Sequence, residues 1–521
     1  MTLGDLLRDV NRARGPLTAA AGVLTFDESQ IAAADAARGD VNSIAYDSRQ
    51  LATGAVFVAL RGQQADGSAF AREAISRGAQ AVVSEGPAPA DVNVPWLQVP
   101  DARLALAVLA AALYRRPSDE LTLVGITGTN GKTTTSYLLS SVFEAGGIPC
   151  GRIGTVGYRI GAREFEAART TPEAPELQRL MRDMVKQGCG ACVMEVSSHA
   201  LSLRRADELR FAAAIFTNLT RDHLDFHRDM AAYFVAKRRL FELLPPGAPA
   251  VINLDDRSAS GLLPVVDTPV TYAIDAAADV QAGPLSLSLD GLRFDIRTPR
   301  GTVHIESQLV GRPNAYNILA AVAAADALGI PHAAIEDGIR TLTNVPGRFQ
   351  VVSGAGDDVR VVVDYAHTDD ALKNLLETAR PLASGRVITV FGCGGDRDRS
   401  KRPLMGAVAA RLSDLVIVTS DNPRSEEPEQ IIEDIKRGIV MPADRAPRGQ
   451  AGPKSTPFLA IPDRKTAIDT AVRDARQGDL VLVAGKGHEK YQIVGERVLP
   501  FDDVEIAAAA LTRRRTATRA S

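Results

Sequence analysis

Cysteine is scarce in this chain, with four in 521 residues. That excludes a disulfide scaffold and fits a reducing cytoplasm. Long apolar runs are missing as well. Nothing approaches the run of about 18 apolar residues that a membrane-spanning helix needs. The opening "MTLGDLLRDVNRARG" reads as a polar helix without the apolar core of a signal peptide. Charge of one sign hardly dominates: 60 Lys and Arg face 63 Asp and Glu, a net charge of −3. Binding to nucleic acid by charge is therefore excluded for the chain as a whole. The expectation is a cytoplasmic protein that engages neither nucleic acid nor membrane. The basic stretch "LTRRRTATRA" near the end reads as a frayed, solvated terminus.

What is present is ordinary globular composition, 45% hydrophobic and 24% charged. At roughly 100–200 residues per domain, three units are expected. Residues 1–100 carry short strands and helices, ending in a Pro- and Ala-rich surface connection over 87–100. Residues 101–345 alternate apolar strands ("LTLVGIT", "ACVMEVS", "AAAIFTNLT", "APAVINLD") with helical runs. That alternation predicts an α/β fold with a mainly parallel sheet. Residues 346–521 form a third α/β unit. Its strands "RVITVFG", "DLVIVTS" and "DLVLVAG" each run straight into a polar loop. Ligands bind beyond the carboxyl ends of such strands. The stretch 441–457, rich in Pro, Gly and charge, reads as an exposed loop. Cys189 and Cys192 form a C-x-x-C at the head of an apolar strand, with no second pair to complete a zinc site. They read as buried bystander thiols.

One stretch points directly to chemistry. "GITGTNGKTTT" (125–135) lies between an apolar strand and a helical run. Glycine permits positive φ and close backbone approach. Successive N–H groups and a helix N-terminus then cradle an anion. Gly128, Thr129, Asn130, Gly131, Lys132, Thr133 and Thr134 form the candidate phosphate loop. Lys132 is placed to reach the phosphates, and the Thr133 hydroxyl to ligate Mg²⁺. The common G-x-x-x-x-G-K-T spacing would need glycine where Ile126 stands. No separate guanine-reading N-K-x-D occurs, so ATP is favoured over GTP. Glu195 closes the strand "VMEVSSHAL", where a carboxylate either holds Mg²⁺ opposite Thr133 or is an ordinary strand-end residue. His223 and His227, four apart in "RDHLDFH", would share a helix face as metal ligands or as capping or core histidines. By spacing alone Lys237 is a solvated helix lysine.

Taken in order, "GITGTNGKTTT", "MEVSSHAL", "FTNLTRDHLDFH", "YFVAKRRLF", "VPGRFQ", "VDYAHTDDAL", "GCGGDRDRSKRPLMG", "SDNPR" and "AGKGHEKYQ" resemble the Mur ligase family of peptidoglycan synthesis, over about the whole chain. The resemblance is greatest to its diaminopimelate-adding (MurE) type. It implies a three-domain architecture: an N-terminal UDP-substrate domain, a central P-loop ATPase and a C-terminal Rossmann-like domain that brings the amino acid. It implies that ATP and Mg²⁺ activate a carboxylate of UDP-N-acetylmuramoyl-L-alanyl-D-glutamate for attack by meso-2,6-diaminopimelate, in a monomer. It makes Thr133, Glu195 and His223 Mg²⁺ ligands, and Lys237 a carbamylated lysine that supplies an anionic oxygen. Lys132, Glu195, His223 and Lys237 become the catalytic set.

Asn314, Arg348 and His367 complete the nucleotide contacts the resemblance implies. Tyr46, Ser48, Gln63, Gln64 and Ala65 match the uridine side of the substrate site. Thr170, Thr171, Ser197 and Arg205 match its sugar-peptide side. Arg397, Asp421, Asn422, Pro423, Arg424, Gly485 and Glu489 match the diaminopimelate site. A planar guanidinium suits the distal carboxylate, and Arg424 of D-N-P-R is absent from lysine-adding relatives. Asp369 stands where the family has proline, and Gln63 where histidine is frequent. Two other readings compete: a sister amide ligase, which should lack D-N-P-R, and a regulatory or transport NTPase, which would turn over nucleotide without an amino acid.

Overall fold

Valine, isoleucine and leucine fill the short strands, and β-branched side chains pack well on a pleated, doubly covered surface. The structure, a computed structural model, describes residues 1–12, 23–37, 39–62, 66–354, 356–439 and 456–520. Gln63, Gln64, Ala65 and most of the 441–457 stretch lie outside them. Among the described residues the strands assemble into three main sheets.

The first sheet has four parallel strands in sequence order: Ser43–Ala45, Ala55–Val58, Ala81–Ser84 and Trp96–Gln98. The last of these lies inside the segment expected to be a surface connection. Three residues at a sheet edge tolerate flanking prolines, which cannot sit in a central strand. The helix Ala102–Leu113 packs into the core of this sheet with Leu3, Leu7 and Val83.

The second sheet has twelve strands. Its parallel centre places Thr122–Thr127 between Ala213–Phe216 and Ala191–Glu195. All three strands are almost wholly buried, and each ends at a candidate functional residue or loop. An antiparallel ribbon, Gly291–Thr298 with Gly301–Ser307, extends the sheet beyond the parallel core. One face is covered by the helices Lys132–Ala145 and Arg312–Ala327. The second is alanine-rich and buried on nearly every side, as a helix apolar all round must be. Cys189 and Cys192 are buried free thiols in the opposite core, and burial pushes the Cys192 thiol up.

The third sheet has six strands, parallel except for the short Gln350–Val351 at its edge. Arg360–Asp364, Leu480–Ala484, Val387–Phe391 and Leu415–Val418 lie side by side in that order. Arg464 is fully buried beneath their carboxyl ends. It pairs with the fully buried Asp503 at 2.7 Å. It also donates to the Ser420 carbonyl at 3.3 Å and the Ala484 carbonyl at 3.0 Å. The basic tail is not frayed. Residues Asp503–Ala520 form a helix in which Arg514 pairs with Asp358 and Arg515 with Asp357. The acidic partners are over 150 residues away in sequence, so a local reading could not supply them. Among the described residues no helix is long and apolar enough to cross a membrane.

Removing one partner of a buried ion pair strands the other charge. Arg464→Leu should therefore lower stability by about 3–5 kcal/mol. The double variant Arg464→Leu/Asp503→Leu should recover part of that loss. Denaturant unfolding of the two variants checks this, and equal loss in both would refute it.

Candidate active site

The phosphate loop turns between the strand Thr122–Thr127 and the helix Lys132–Ala145 because two glycines allow it. Gly131 is left-handed at φ 88°, and a Cβ there would sit 2.3 Å from Asn317 Oδ1. Gly128 has φ 151°, and its Cβ would meet Thr217 Oγ1 at 1.9 Å. The loop is thus pressed against its supports with no room for a side chain. Lys132 Nζ folds back to donate to the carbonyls of Gly128 (2.9 Å) and Thr129 (2.8 Å).

Glu195 is buried at its strand end and accepts three hydrogen bonds. Thr133 Oγ1 donates at 3.1 Å, Thr155 N at 2.9 Å and Thr155 Oγ1 at 3.0 Å. Arg348, from the segment before the third sheet, donates to Thr133 Oγ1 at 3.1 Å and lies over the Tyr365 ring at 4.7 Å. Thr133 and Glu195 together offer hard oxygen donors, the set that suits Mg²⁺.

His223 is left-handed at φ 54° and faces Asp222 at 3.4 Å. The expected shared helix face with His227 does not form. Residues 222–229 hold a single turn rather than a helix, with His227 N donating to the His223 carbonyl at 2.9 Å and a left-handed backbone at His223. His227 instead turns inward to Ser198 Oγ at 2.9 Å. His199 lies between the two, with ring centroids 4.8 Å from His223 and 5.5 Å from His227. Burial pushes all three imidazoles down to about 4. Among the described residues no group of three or more His, Cys, Asp and Glu is arranged to hold a metal without other donors.

Lys237 is not the solvated helix lysine that spacing suggested. It is 2% exposed and donates to the Gly128 carbonyl at 2.6 Å, beneath the phosphate loop. The Tyr233 ring lies 4.5 Å from its Nζ. Burial, with Lys132 nearby, pushes its ammonium far below the usual lysine range.

Two clefts meet here. The first is lined by Lys132, Thr133, Glu195, Asn314, Arg348 and His367, among others. The second is lined by Arg397, Asp421, Asn422, Arg424, Gly485 and Glu489. Asp222, His223, Tyr365, His367 and Thr368 line both. The carboxyl ends of the central and C-terminal sheets are thereby brought mouth to mouth. Thr170 and Ser197 also open into the first cleft. From them a polar track runs outward: Thr171 donates to the Glu195 carbonyl (2.9 Å), and Arg205 to the Thr171 carbonyl (3.0 Å). Arg205 also pairs with Glu173 at 2.8 Å. Tyr46, from the first sheet, donates to Glu176 at 3.2 Å, while Ser48 is turned to Glu73. Neither lines the two clefts.

In the second cleft Arg424 is left-handed at φ 52° and donates to the Gly395 carbonyl at 2.7 Å. Pro423 lies behind it against Gly395. Asn422 donates to Glu489 Oε2 at 2.8 Å. Sequence reasoning missed Lys486, which is fully buried and donates to both Asn422 Oδ1 (3.1 Å) and Glu489 Oε2 (3.2 Å). It also missed Arg402, fully buried between Glu426 and Asp434, which holds the Glu426 carboxyl down at about 2 and fixes the two strand-end loops together. Thr155, the partner of Glu195, has no motif around it that could have revealed it.

Three family models match in chain order. "Mur ligase family, catalytic domain" covers residues 40–114, "Mur ligase middle domain" 126–325, and "Mur ligase, glutamate ligase domain" 347–487. A UDP-N-acetylmuramoyl-L-alanyl-D-glutamate–2,6-diaminopimelate ligase of Geobacter metallireducens is 49% identical, covering 90% of this chain and 94% of its own length. One of Solibacter usitatus is 45% identical over 98% of each chain. A solved structure carrying the same enzyme name superposes with a TM-score of 0.64 at 36% identity, over 91% of this chain and 95% of its own. The MurF ligase of Thermotoga maritima in complex with ADP gives 0.60 at 18% identity, over 92% and 99%, a likeness of fold.

The depressed imidazoles make stability depend on pH. Unfolded, His227 titrates near 6.5; folded, near 4. The unfolded chain then binds the extra protons, so stability falls as pH drops from about 6.5 towards 4. His227→Asn should lose stability less steeply over that window. An unchanged slope in pH-dependent denaturant unfolding would contradict the assignment.

Proposed function

The chain belongs to the Mur ligase family, and on that premise we propose how its residues divide the work. The enzyme is an ATP-dependent ligase that adds meso-diaminopimelate to UDP-N-acetylmuramoyl-L-alanyl-D-glutamate in peptidoglycan precursor synthesis. The observation that carries the residue assignments is the junction of the two clefts. Nucleotide-side and amino-acid-side residues open onto the same five residues, where an acyl group could pass from one chemistry to the other.

A carboxylate is a poor electrophile at neutral pH. ATP transfers its γ-phosphoryl group to the substrate carboxylate, giving an acyl phosphate and ADP. The amine of diaminopimelate then attacks the acyl carbon; the amide forms, phosphate leaves, and the amine gives up a proton. Such transfer needs positioning and charge neutralisation more than covalent help. The backbone N–H groups of the phosphate loop and Lys132 cradle the phosphates. Arg348 brings a cation to the same point from the C-terminal side, with Asn314 and His367 on the nucleoside side. Thr170, Thr171, Ser197 and Arg205 line the track for the sugar-peptide, and Tyr46, Ser48 and residues 63–65 its uridine end.

Mg²⁺ would be held by Thr133, Glu195, His223 and the carbamate of Lys237, and supplies charge neutralisation when bound. Burial favours the deprotonated Lys237 amine, the form that attacks CO₂; the N–C bond forms and one proton is lost, leaving an anionic oxygen donor. In the second cleft Arg424 and Arg397 take carboxylates, and Asp421 and Glu489 the ammonium. The reading also has the enzyme work as a monomer in the cytoplasm, with units near 1–100, 101–345 and 346–521.

Phosphate release from ATP, Mg²⁺ and the UDP-linked substrate should require meso-diaminopimelate and should not be met by L-lysine. Release indifferent to both amino acids would overturn the ligase reading. In the same assay Arg424→Ala should weaken diaminopimelate use by about 2–5 kcal/mol while leaving ATP affinity nearly unchanged. Activity should fall in CO₂-stripped buffer and return with bicarbonate. Lys237→Arg should be inactive with or without bicarbonate, because a guanidinium forms no carbamate; retained activity would remove the carbamate from the mechanism.

A further inference from the structure

The strands Tyr491–Val494 and Arg497–Pro500 form a two-stranded hairpin outside the main sheets. Its outer strand is exposed along its whole length, with Val498 at 65%. A lone hairpin is marginal in water, so its order must come from what its inner strand touches. That partner is the D-N-P-R loop, gripped residue by residue. Gln492 Nε2 donates to the Asp421 carbonyl at 2.7 Å. Ile493 N donates to Asn422 Oδ1 at 2.9 Å. Arg424 N donates to the Ile493 carbonyl at 3.0 Å, and Gly495 N to the Arg424 carbonyl at 2.7 Å.

The last two bonds form an isolated parallel bridge at the residue whose backbone most needs holding. Arg424 is left-handed, a conformation that costs a non-glycine residue energy and persists only where neighbours over-determine it. Both its N–H and its C=O are committed to the hairpin. Tyr491, at the head of the same strand, lines the second cleft.

We propose that this hairpin sets the pose of the D-N-P-R loop and thereby the choice of amino acid, with Gln492 as a positioning residue. It rests on the reading of Arg424 given above. Gln492 is the one side chain of the hairpin that donates to the loop backbone, and it is not needed for the sheet cores. Losing its bond frees Asp421 and relaxes the left-handed turn three residues on. The guanidinium then samples poses that no longer meet the distal carboxylate.

The test is steady-state kinetics of full-length Gln492→Leu and Gln492→Glu, the second keeping the shape but losing the donor. Both should raise KM for diaminopimelate by roughly tenfold, leaving kcat and KM for ATP within about twofold. Leu499→Thr, on the outer strand, should change neither. In an Arg424→Ala background, Gln492→Leu should add less than its separate effect, because residues acting through one loop are not additive. A parallel rise in KM for ATP, an unchanged KM for diaminopimelate, or fully multiplicative effects would each overturn the proposal. Whether the wild-type enzyme needs diaminopimelate at all tests the function reading separately.

Discussion

The carboxylate of Glu195 is the point on which the site turns. It is buried at a strand end, where an unsatisfied charge would be costly. Thr133 from the phosphate-loop helix and Thr155 from the facing loop satisfy it with three hydrogen bonds. Thr133 in turn accepts from Arg348, which comes from the C-terminal side. One acidic group thus registers three segments from distant parts of the sequence. The parallel sheet supplies the fixed platform, and the packed glycines leave the loop no alternative path.

A second theme is burial without neutral surroundings. Lys237, Lys486, Arg402 and Arg464 are all nearly or fully buried basic side chains, and they are not all handled alike. Arg402 and Arg464 meet carboxylates and act as structural rivets behind the amino-acid loops. Lys486 is paired with Glu489, which lines the second cleft. Lys237 has a carbonyl and a ring for company rather than a carboxylate, and burial pushes its ammonium well below the usual lysine range. Two buried lysines, Lys486 beside a carboxylate and Lys237 beside a carbonyl, are therefore set apart by their partners.

Much of this was legible in advance. Runs such as "DLVIVTS" and "DLVLVAG" carry their strand nature in short, unbroken apolar stretches rich in valine, and "GITGTNGKTTT" carries its turn in its glycines. What was hidden depends on contacts between distant residues. The burial of Lys237 follows from Gly128 lying over it, 109 positions away. The pairing of Arg514 and Arg515 follows from aspartates on the far edge of the third unit. Trp96–Gln98 was masked by prolines, and the supposed helix through His223 by one left-handed residue. The antiparallel ribbon does alternate buried and exposed residues along Gly291–Thr298, a period-2 signal present in the letters "GLRFDIRT".

The contrast between the two clefts bears on how such an enzyme changes over generations. The first cleft is bordered by parts with little slack: a loop where a single added methyl group collides, and an alanine-rich helix buried along most of its length. The second cleft is framed partly by the hairpin Tyr491–Pro500, whose outer strand is exposed and which belongs to none of the three main sheets. A substitution on its outer strand meets solvent rather than a packed neighbour. The two ends of the site thus differ in how much change each tolerates, the first being close-packed and the second framed partly at the surface.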